Sequence, residues 1–352
     1  MFGRQWFGPS SQVALEDAAL SFENILRSKN FIRAIELATK ESETSVTEHG
    51  RYFWLRQLQR ASRLQHRCSR LDYISVAFSG FWPGFKSEDN EILNLLTLAA
   101  RILDRGVKVD NSDPDLVIFS CFGNPGLEQF ARATRLLYLG ENVRPDFGIA
   151  DYSLTFDMSN YCGRNIYVPL WFLRSKQCAA KSADYQPFHP AELEDARPVN
   201  QGEEAVAYIG NNSTPTRMEA VNELTRLGIP VNCYGSQTRA VASKLDTLAR
   251  YRYTLCFENT YTPGYVTEKI LDSFLAGSIP IYWGGAPPNT FNLDNYFVCC
   301  PYHDMTTNIK EFMHWKEATH DSCLPPLLRR GAFIKLESTI LTRLAKLILD
   351  LF

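Results

Sequence analysis

Apolar residues recur at three- and four-residue spacing through "SSQVALEDAALSFENILRS", "NFIRAIELATK" and "RYFWLRQLQRASRLQHR", which predicts three helices within residues 10–67. The stretch "ESETSVTEHG" between the second and third reads as a loop. From residue 72 the pattern changes to short apolar runs alternating with helical ones. Strands are expected at "DYISVAF" (72–78), "DLVIFS" (115–120), "RLLYLG" (135–140), "YSLTF" (152–156) and "IYVPL" (166–170), with helices at "EDNEILNLLTLAARILDRG" (88–106) and "GLEQFARAT". Such alternation implies a parallel sheet.

Residues 174–203 are polar, carry three prolines and break the pattern, as an interdomain linker does. A second alternating unit begins after it: strand "AVAYIG", a helix from Arg217 to Leu227, strand "PVNCYG", a helix near 238–250, strand "RYTLCF", a helix opening at "YVTEKI", and strand "SIPIYWG". The expected organisation is a helical N-terminal extension (1–70), a first Rossmann-like domain (71–175), a linker (176–203), a second Rossmann-like domain (204–330) and a C-terminal amphipathic helix (331–352). On that last helix Phe333, Ile340, Leu341, Leu344, Ile348, Leu351 and Phe352 share one face. It reads as docking on a neighbouring domain, with a membrane surface as the alternative. No P-loop and no GxGxxG motif appears, which counts against kinases and nicotinamide enzymes.

Two domains are what 352 residues with 45% hydrophobic content support. Lys plus Arg (37) nearly balance Asp plus Glu (39), so no general nucleic-acid affinity is expected and any anion site must be local. Nine cysteines, an odd number without zinc-type spacing, suggest a reducing compartment. The opening residues are broken by Gly3, Gly8 and Pro9 and lack the apolar run of a secretory signal. No stretch approaches the roughly 20 apolar residues of a membrane span. A cytoplasmic location is expected.

The chemistry concentrates at strand ends. "RYTLCF" delivers Glu258 and Asn259 at its carboxyl end, where open α/β sheets bind ligands. The turn pair Pro263–Gly264 then leads to a helix starting near Thr267, with Glu268 and Lys269 in its first turn. The helix dipole favours the glutamate and disfavours the lysine there, and a bound anion would account for the lysine. Free amides and an ammonium suit a diphosphate, a carboxylate can accept two ribose hydroxyls, and Tyr265 can cover a base or sugar. A solvated helix end is the plain alternative. In "NNSTPTR", Ser213 or Thr214 reads as a cap, Pro215 as the first helical residue and Arg217 as a fork for phosphate oxygens or a surface side chain. Glu141 in "LYLGENVRPDF" follows a strand and a glycine, as a general base or a turn residue. Asp113 and Asp115 form a D-x-D match before a strand and read as a turn, and the six scattered histidines argue against zinc. Arg51, Arg56, Arg60, Arg63, Arg67 and Arg70 make a basic stripe, either a solvated face or a contact for an anionic lipid or glycolipid.

The run "YRYTLCFENTYTPGYVTEKILDSFLAGSIPIYWGG" (251–285), with "DLVIFSCFGNP", "LYLGEN", "DYSLTFD" and "YVPLWF" in order before it, resembles the bacterial α1,3/4-fucosyltransferases that build Lewis-type antigens on lipopolysaccharide. The resemblance covers about residues 72–300. It implies a GT-B fold of two Rossmann-like domains facing a cleft, and inverting transfer of L-fucose from GDP-fucose to the GlcNAc of a Galβ1-4GlcNAc or Galβ1-3GlcNAc acceptor. It implies no obligatory cofactor or metal, a divalent cation being at most stimulatory. Residue by residue it makes Glu141 the general base, Arg217 and Lys269 the diphosphate cations, Glu268 an acid near the sugar and ribose, and Tyr265 and Asn259 donor-pocket neighbours. The expected partners are GDP-fucose and an N-acetyllactosamine-type glycan or lipopolysaccharide acceptor. The first 70 residues fall outside this resemblance and the basic tail of some relatives is absent, so peripheral contact with the inner membrane would fall to the arginine stripe. The alternatives are a GT-B enzyme for another nucleotide sugar such as GDP-mannose, or a non-catalytic nucleotide-sugar or glycan-binding protein.

Overall fold

The computed structural model describes residues 9–28, 30–45, 48–66, 72–123, 125–175, 188–235, 239–318 and 322–351. The chain divides into two compact units. The first runs to Leu139, resumes over Pro145–Leu154 and takes the end of the chain from Leu341; the second comprises Gly140–Arg144 and Thr155–Ile340.

In the first unit, helices α1 (Pro9–Arg27), α2 (Phe31–Thr44) and α3 (Glu48–His66) precede β1 (Tyr73–Ser79), α4 (Glu91–Arg101), β2 (Gly106–Val109), β3 (Leu116–Phe119), β4 (Thr134–Tyr138) and β5 (Tyr152–Thr155). The strands are parallel and ordered β2-β1-β3-β4-β5. All residues of β3, β4 and β5 are buried, as in a parallel sheet covered on both faces. Asn90 caps α4 by accepting from the Leu93 amide at 2.8 Å, and the helix buries Ile92, Leu95, Leu96, Ala99 and Ala100. The expected helix in "GLEQFARAT" shrinks to one 3-10 turn, Leu127–Phe130, and the loop expected over 41–50 is shorter, because α2 runs to Thr44 and α3 starts at Glu48.

Helices α1 to α3 enclose their own core of Phe22, Leu26, Ala34, Ala38, Trp54 and Ala61. Arginines fasten α3 to the strands. Arg56 donates to the carbonyls of Ala131 and Ala133, both at 3.0 Å, and pairs with Asp151 at 3.1 Å. Arg60 reaches Glu23 at 2.5 Å and the Tyr152 hydroxyl at 3.0 Å. This corrects the stripe expected to face solvent or lipid: Arg56 and Arg60 are 7% and 5% exposed and bonded to internal acceptors. Arg51 is exposed and bonds the Ser45 carbonyl, while Arg67 and Arg70 and the side chain of Arg63 lie outside the described residues.

The second unit continues with β6 (Asn165–Tyr167), α5 (Leu170–Arg174), β7 (Arg197–Pro198), β8 (Glu203–Ile209), α6 (Pro215–Arg226), β9 (Val231–Tyr234), α7 (Lys244–Leu248), β10 (Tyr251–Phe257), α8 (Glu268–Leu275), β11 (Ile279–Trp283), β12 (Phe297–Val298), α9 (Met305–Ala318) and β13 (Cys323–Leu324). Its main sheet is parallel, ordered β12-β11-β10-β8-β9, with β10 at the centre. Residues 176–187 of the expected linker lie outside the described residues; its remainder forms a helical turn, Pro190–Leu193, and the strand β7, which pairs with β13. The last helix, α10 (Ala332–Asp350), buries Phe333, Ile340, Leu344 and Ile348, so its apolar stripe is internal packing. Leu341 is half-buried, Leu351 just beyond the helix is buried, and Phe352 lies outside the described residues. Among the described residues no helix is long and apolar enough to cross a membrane.

Arg56→Met leaves the Asp151 carboxylate buried beside a lost cation, and is expected to cost about 3 kcal/mol in urea unfolding. Arg51→Met, at an exposed position, is expected to cost under about 0.5 kcal/mol.

Candidate active site

The site grows from the carboxyl end of β10. Its strand is buried almost throughout, and the residue after it, Glu258, is fully buried. A buried carboxylate needs partners. The chain supplies them by turning back: the Tyr265 amide bonds the Thr262 carbonyl at 3.0 Å and the Gly264 amide bonds the Gly285 carbonyl at 2.7 Å. Gly264 has φ +86°, and a Cβ there would stand 2.6 Å from the Phe156 carbonyl oxygen, so only glycine fits.

This turn brings Thr267, the N-cap of α8, onto Glu258. The Thr267 amide donates to Oε1 and its hydroxyl to Oε2, each at 2.8 Å. Lys269 Nζ lies 3.3 Å from Glu258 Oε2, 2.7 Å from the Thr267 hydroxyl and 3.7 Å from Glu268 Oε1. From α7, Lys244 Nζ reaches Asp272 at 2.7 Å and Glu268 at 3.5 Å, and Asp272 also faces Arg174 at 3.4 Å. Burial pushes the Glu268 carboxyl up, but the ammonium groups of Lys244 and Lys269 outweigh it and hold it at about 2.

Arg217, in the first turn of α6, is buried. Its guanidinium donates to the Phe257 carbonyl at 3.0 and 2.6 Å and to the Asn212 carbonyl at 2.8 Å. Among the described residues no carboxylate pairs with it. The Thr214 hydroxyl at the same helix start is buried without a hydrogen-bond partner. A cation bonded to carbonyls beside unused helix amides is a place for an anion.

Tyr265 is 2% exposed and meets Phe156 edge-on at 5.0 Å, so its ring is wall rather than open cover. Its phenol reports what surrounds it: burial, then the carboxylates of Glu258, Glu141 and Glu268, push it up, against the pull of Arg217. Glu141 is exposed, and Asn259 is half-buried at the end of β10. Glu141, Arg217, Asn259, Tyr265, Glu268 and Lys269 all lie in the second unit, and Lys269 and Glu268 pair directly. Sequence reasoning placed Glu258 at a ligand-binding strand end without assigning it a task, and missed Lys244, which stands 24 residues before Glu268 on a helix of only five residues. Asp115 of the D-x-D match takes the Ser75 amide at 2.6 Å and hydroxyl at 2.7 Å, so it anchors β3.

Two profiles match in succession: the Alpha-(1,3)-fucosyltransferase FucT N-terminal domain over residues 76–174, and the glycosyltransferase family 10 (fucosyltransferase) C-terminal domain over residues 200–318. The chain belongs to glycosyltransferase family 10. It is 28% identical over 283 residues to the alpha-(1,3)-fucosyltransferase FucT of Helicobacter pylori, a match covering 70% of this chain and 55% of that one. Over 103 residues it is 31% identical to 4-galactosyl-N-acetylglucosaminide 3-alpha-L-fucosyltransferase 9 of Cricetulus griseus, covering 28% of each. The chain thus spans about half the length, or less, of these curated relatives. A crystal structure of an α1,3-fucosyltransferase with GDP-fucose matches at a TM-score of 0.53 and 22% identity, covering 80% of this chain and 95% of that one. The same enzyme fold with GDP matches equally, at 0.53. The family 10 chain therefore has the GT-B fold of two α/β units with parallel sheets.

Because the folded Glu268 carboxyl lies below its ordinary 4.5, its ion pairs stabilise fully above about pH 4.5 and are lost as pH falls toward 2. Lys244→Met should move that carboxyl up and shrink this acid-induced loss, read as a smaller difference in urea midpoint between pH 5 and pH 3.

Proposed function

We infer that this chain transfers L-fucose from GDP-fucose to an N-acetyllactosamine-type glycan with inversion at the anomeric carbon. The observation that carries the reading is the start of α8, where Lys269 lies between Glu258 and Glu268, in the same unit as the carbonyl-bonded guanidinium of Arg217. In the reaction the acceptor hydroxyl oxygen attacks the anomeric carbon and its proton passes to the Glu141 carboxylate. The bond from that carbon to the β-phosphate oxygen breaks, and its electron pair leaves with GDP. Negative charge grows on the diphosphate and positive charge on the sugar, so Arg217 and Lys269 serve the first and Glu268 the second. With two cations on the phosphates, the reading needs no obligatory metal.

The activity named for one relative, a 4-galactosyl-N-acetylglucosaminide 3-alpha-L-fucosyltransferase, supports the acceptor class and an α1,3 linkage. An aromatic shelf in the first unit also supports a glycan acceptor, whatever the linkage. Phe81 stacks on Phe85 at 4.0 Å, and Trp82 meets Phe85 at 5.2 Å and Phe122 at 5.6 Å, with the indole 42% exposed. The shelf follows the carboxyl ends of β1 and β3, and an exposed indole suits the apolar face of a pyranose.

Incubation with GDP-fucose and N-acetyllactosamine should release GDP and a fucosylated trisaccharide; no turnover with this disaccharide or its Galβ1-3GlcNAc isomer overturns the reading. Turnover with GDP-mannose instead would assign another donor. Glu141→Gln should lower kcat by about 10²–10⁴-fold with GDP affinity unchanged in calorimetry. Trp82→Ala is expected to raise the acceptor KM about tenfold and leave GDP binding alone.

A further inference from the structure

Glu141 lies on a five-residue segment, Gly140–Arg144, that groups with the second unit although the residues on either side of it group with the first. Two ties fasten it. Asn142 Nδ2 donates to Thr262 Oγ1 at 2.9 Å and to Thr260 Oγ1, so both amide hydrogens are used. The Arg144 guanidinium pairs with the buried carboxylate of Asp157 and lies 5.8 Å over the Phe156 ring. Asp157 also takes the Tyr161 hydroxyl at 2.7 Å and the Ser159 amide at 2.9 Å, so the anchor is itself held.

Both ties lead to the donor side. Thr260 and Thr262 sit on the turn between Glu258 and Tyr265, and Phe156 is the ring against which Tyr265 packs. Glu141 stands one residue before the first tie and three before the second. We propose that Asn142 and Arg144 are positioning residues that clamp the Glu141 segment to the donor-binding unit, so that the distance from base to anomeric carbon is set within one unit. The proposal rests on the reading of Glu141 as base. Displacing a base by about 1 Å costs on the order of 10²-fold in rate, so the clamp has a kinetic consequence even though its bonds are ordinary ones.

The full chain is compared with Asn142→Ala, the pair Thr260→Val with Thr262→Val, and Arg144→Leu. Hydrogen exchange reads the clamp directly: amides of 140–144 should exchange at least about tenfold faster in each variant. Activity reads its service to Glu141: kcat should fall about 10- to 100-fold, while GDP affinity stays within about twofold. Arg144→Lys, which keeps a cation for Asp157, should recover part of the loss. Asn142→Ala added to Glu141→Gln should slow turnover no further, a non-additivity that a merely structural role would not give. Unchanged exchange overturns the clamp, and faster exchange with wild-type kcat overturns its role in positioning. If the unsubstituted chain turns over no GDP-fucose while the variants exchange faster, the clamp stands and the assigned reaction falls.

Discussion

The pairing of Glu258 with the start of α8 is the constraint on which the site depends. A carboxyl group with no exposure is stable only if its oxygens are occupied, and the amide and hydroxyl of Thr267 occupy both at 2.8 Å. The strand end therefore performs the capping that the Thr267 side chain does not perform for its own helix. The geometry also settles where Lys269 goes. An ammonium in a first turn opposes the helix dipole, and Glu258, Glu268 and the Thr267 hydroxyl offset that cost from three directions. Two glycines make the approach possible, since a Cβ at Gly264 would strike the Phe156 carbonyl and one at Gly285 the Thr262 carbonyl.

Much of the fold was readable from the chain because buried parallel strands are continuous apolar runs, as Leu116–Phe119 and Tyr251–Phe257 show. Strand β2 escaped notice because its four residues alternate between exposed and half-buried and contain no long apolar run. "GLEQFARAT" has helical composition, yet Gly126 enters it in a left-handed conformation and the helix stops after one turn. The arginine stripe was misread for a different reason. Nothing in the helix itself tells that Arg56 is bound by groups 75 to 95 residues further on, and a run of arginines at three- to five-residue spacing looks like a solvated face until those acceptors are in place.

The site was legible where local signals sufficed: a strand end, a Pro-Gly turn, a helix start, a glycine before Glu141. It was illegible where the candidate site is held by pairs distant in sequence, such as Lys244 with Glu268, or Asn142 with two threonines 118 and 120 residues away. Sequence resemblance named candidate residues; the contacts among them came only with the fold. Tyr265 shows the difference, since its motif position suggested a cover for a base or sugar and its packing against Phe156 makes it buried wall.

The two diphosphate cations of the proposed reaction are not equivalent. Arg217 already has its donors aligned on the carbonyls of Phe257 and Asn212, and no carboxylate among the described residues must release it before an anion arrives. Its charge is uncompensated while its geometry is fixed, which is the condition for binding an anion with little reorganisation. Lys269 sits between Glu258 and Glu268, so any phosphate contact it makes is shared with carboxylates that remain nearby. Lys244 eases that competition by taking part of Glu268 while also meeting Asp272. On the proposed reading, Arg217 would therefore supply standing affinity for the diphosphate, whereas Lys269 would gain most when charge on the leaving group increases, as it does when a glycosidic bond breaks.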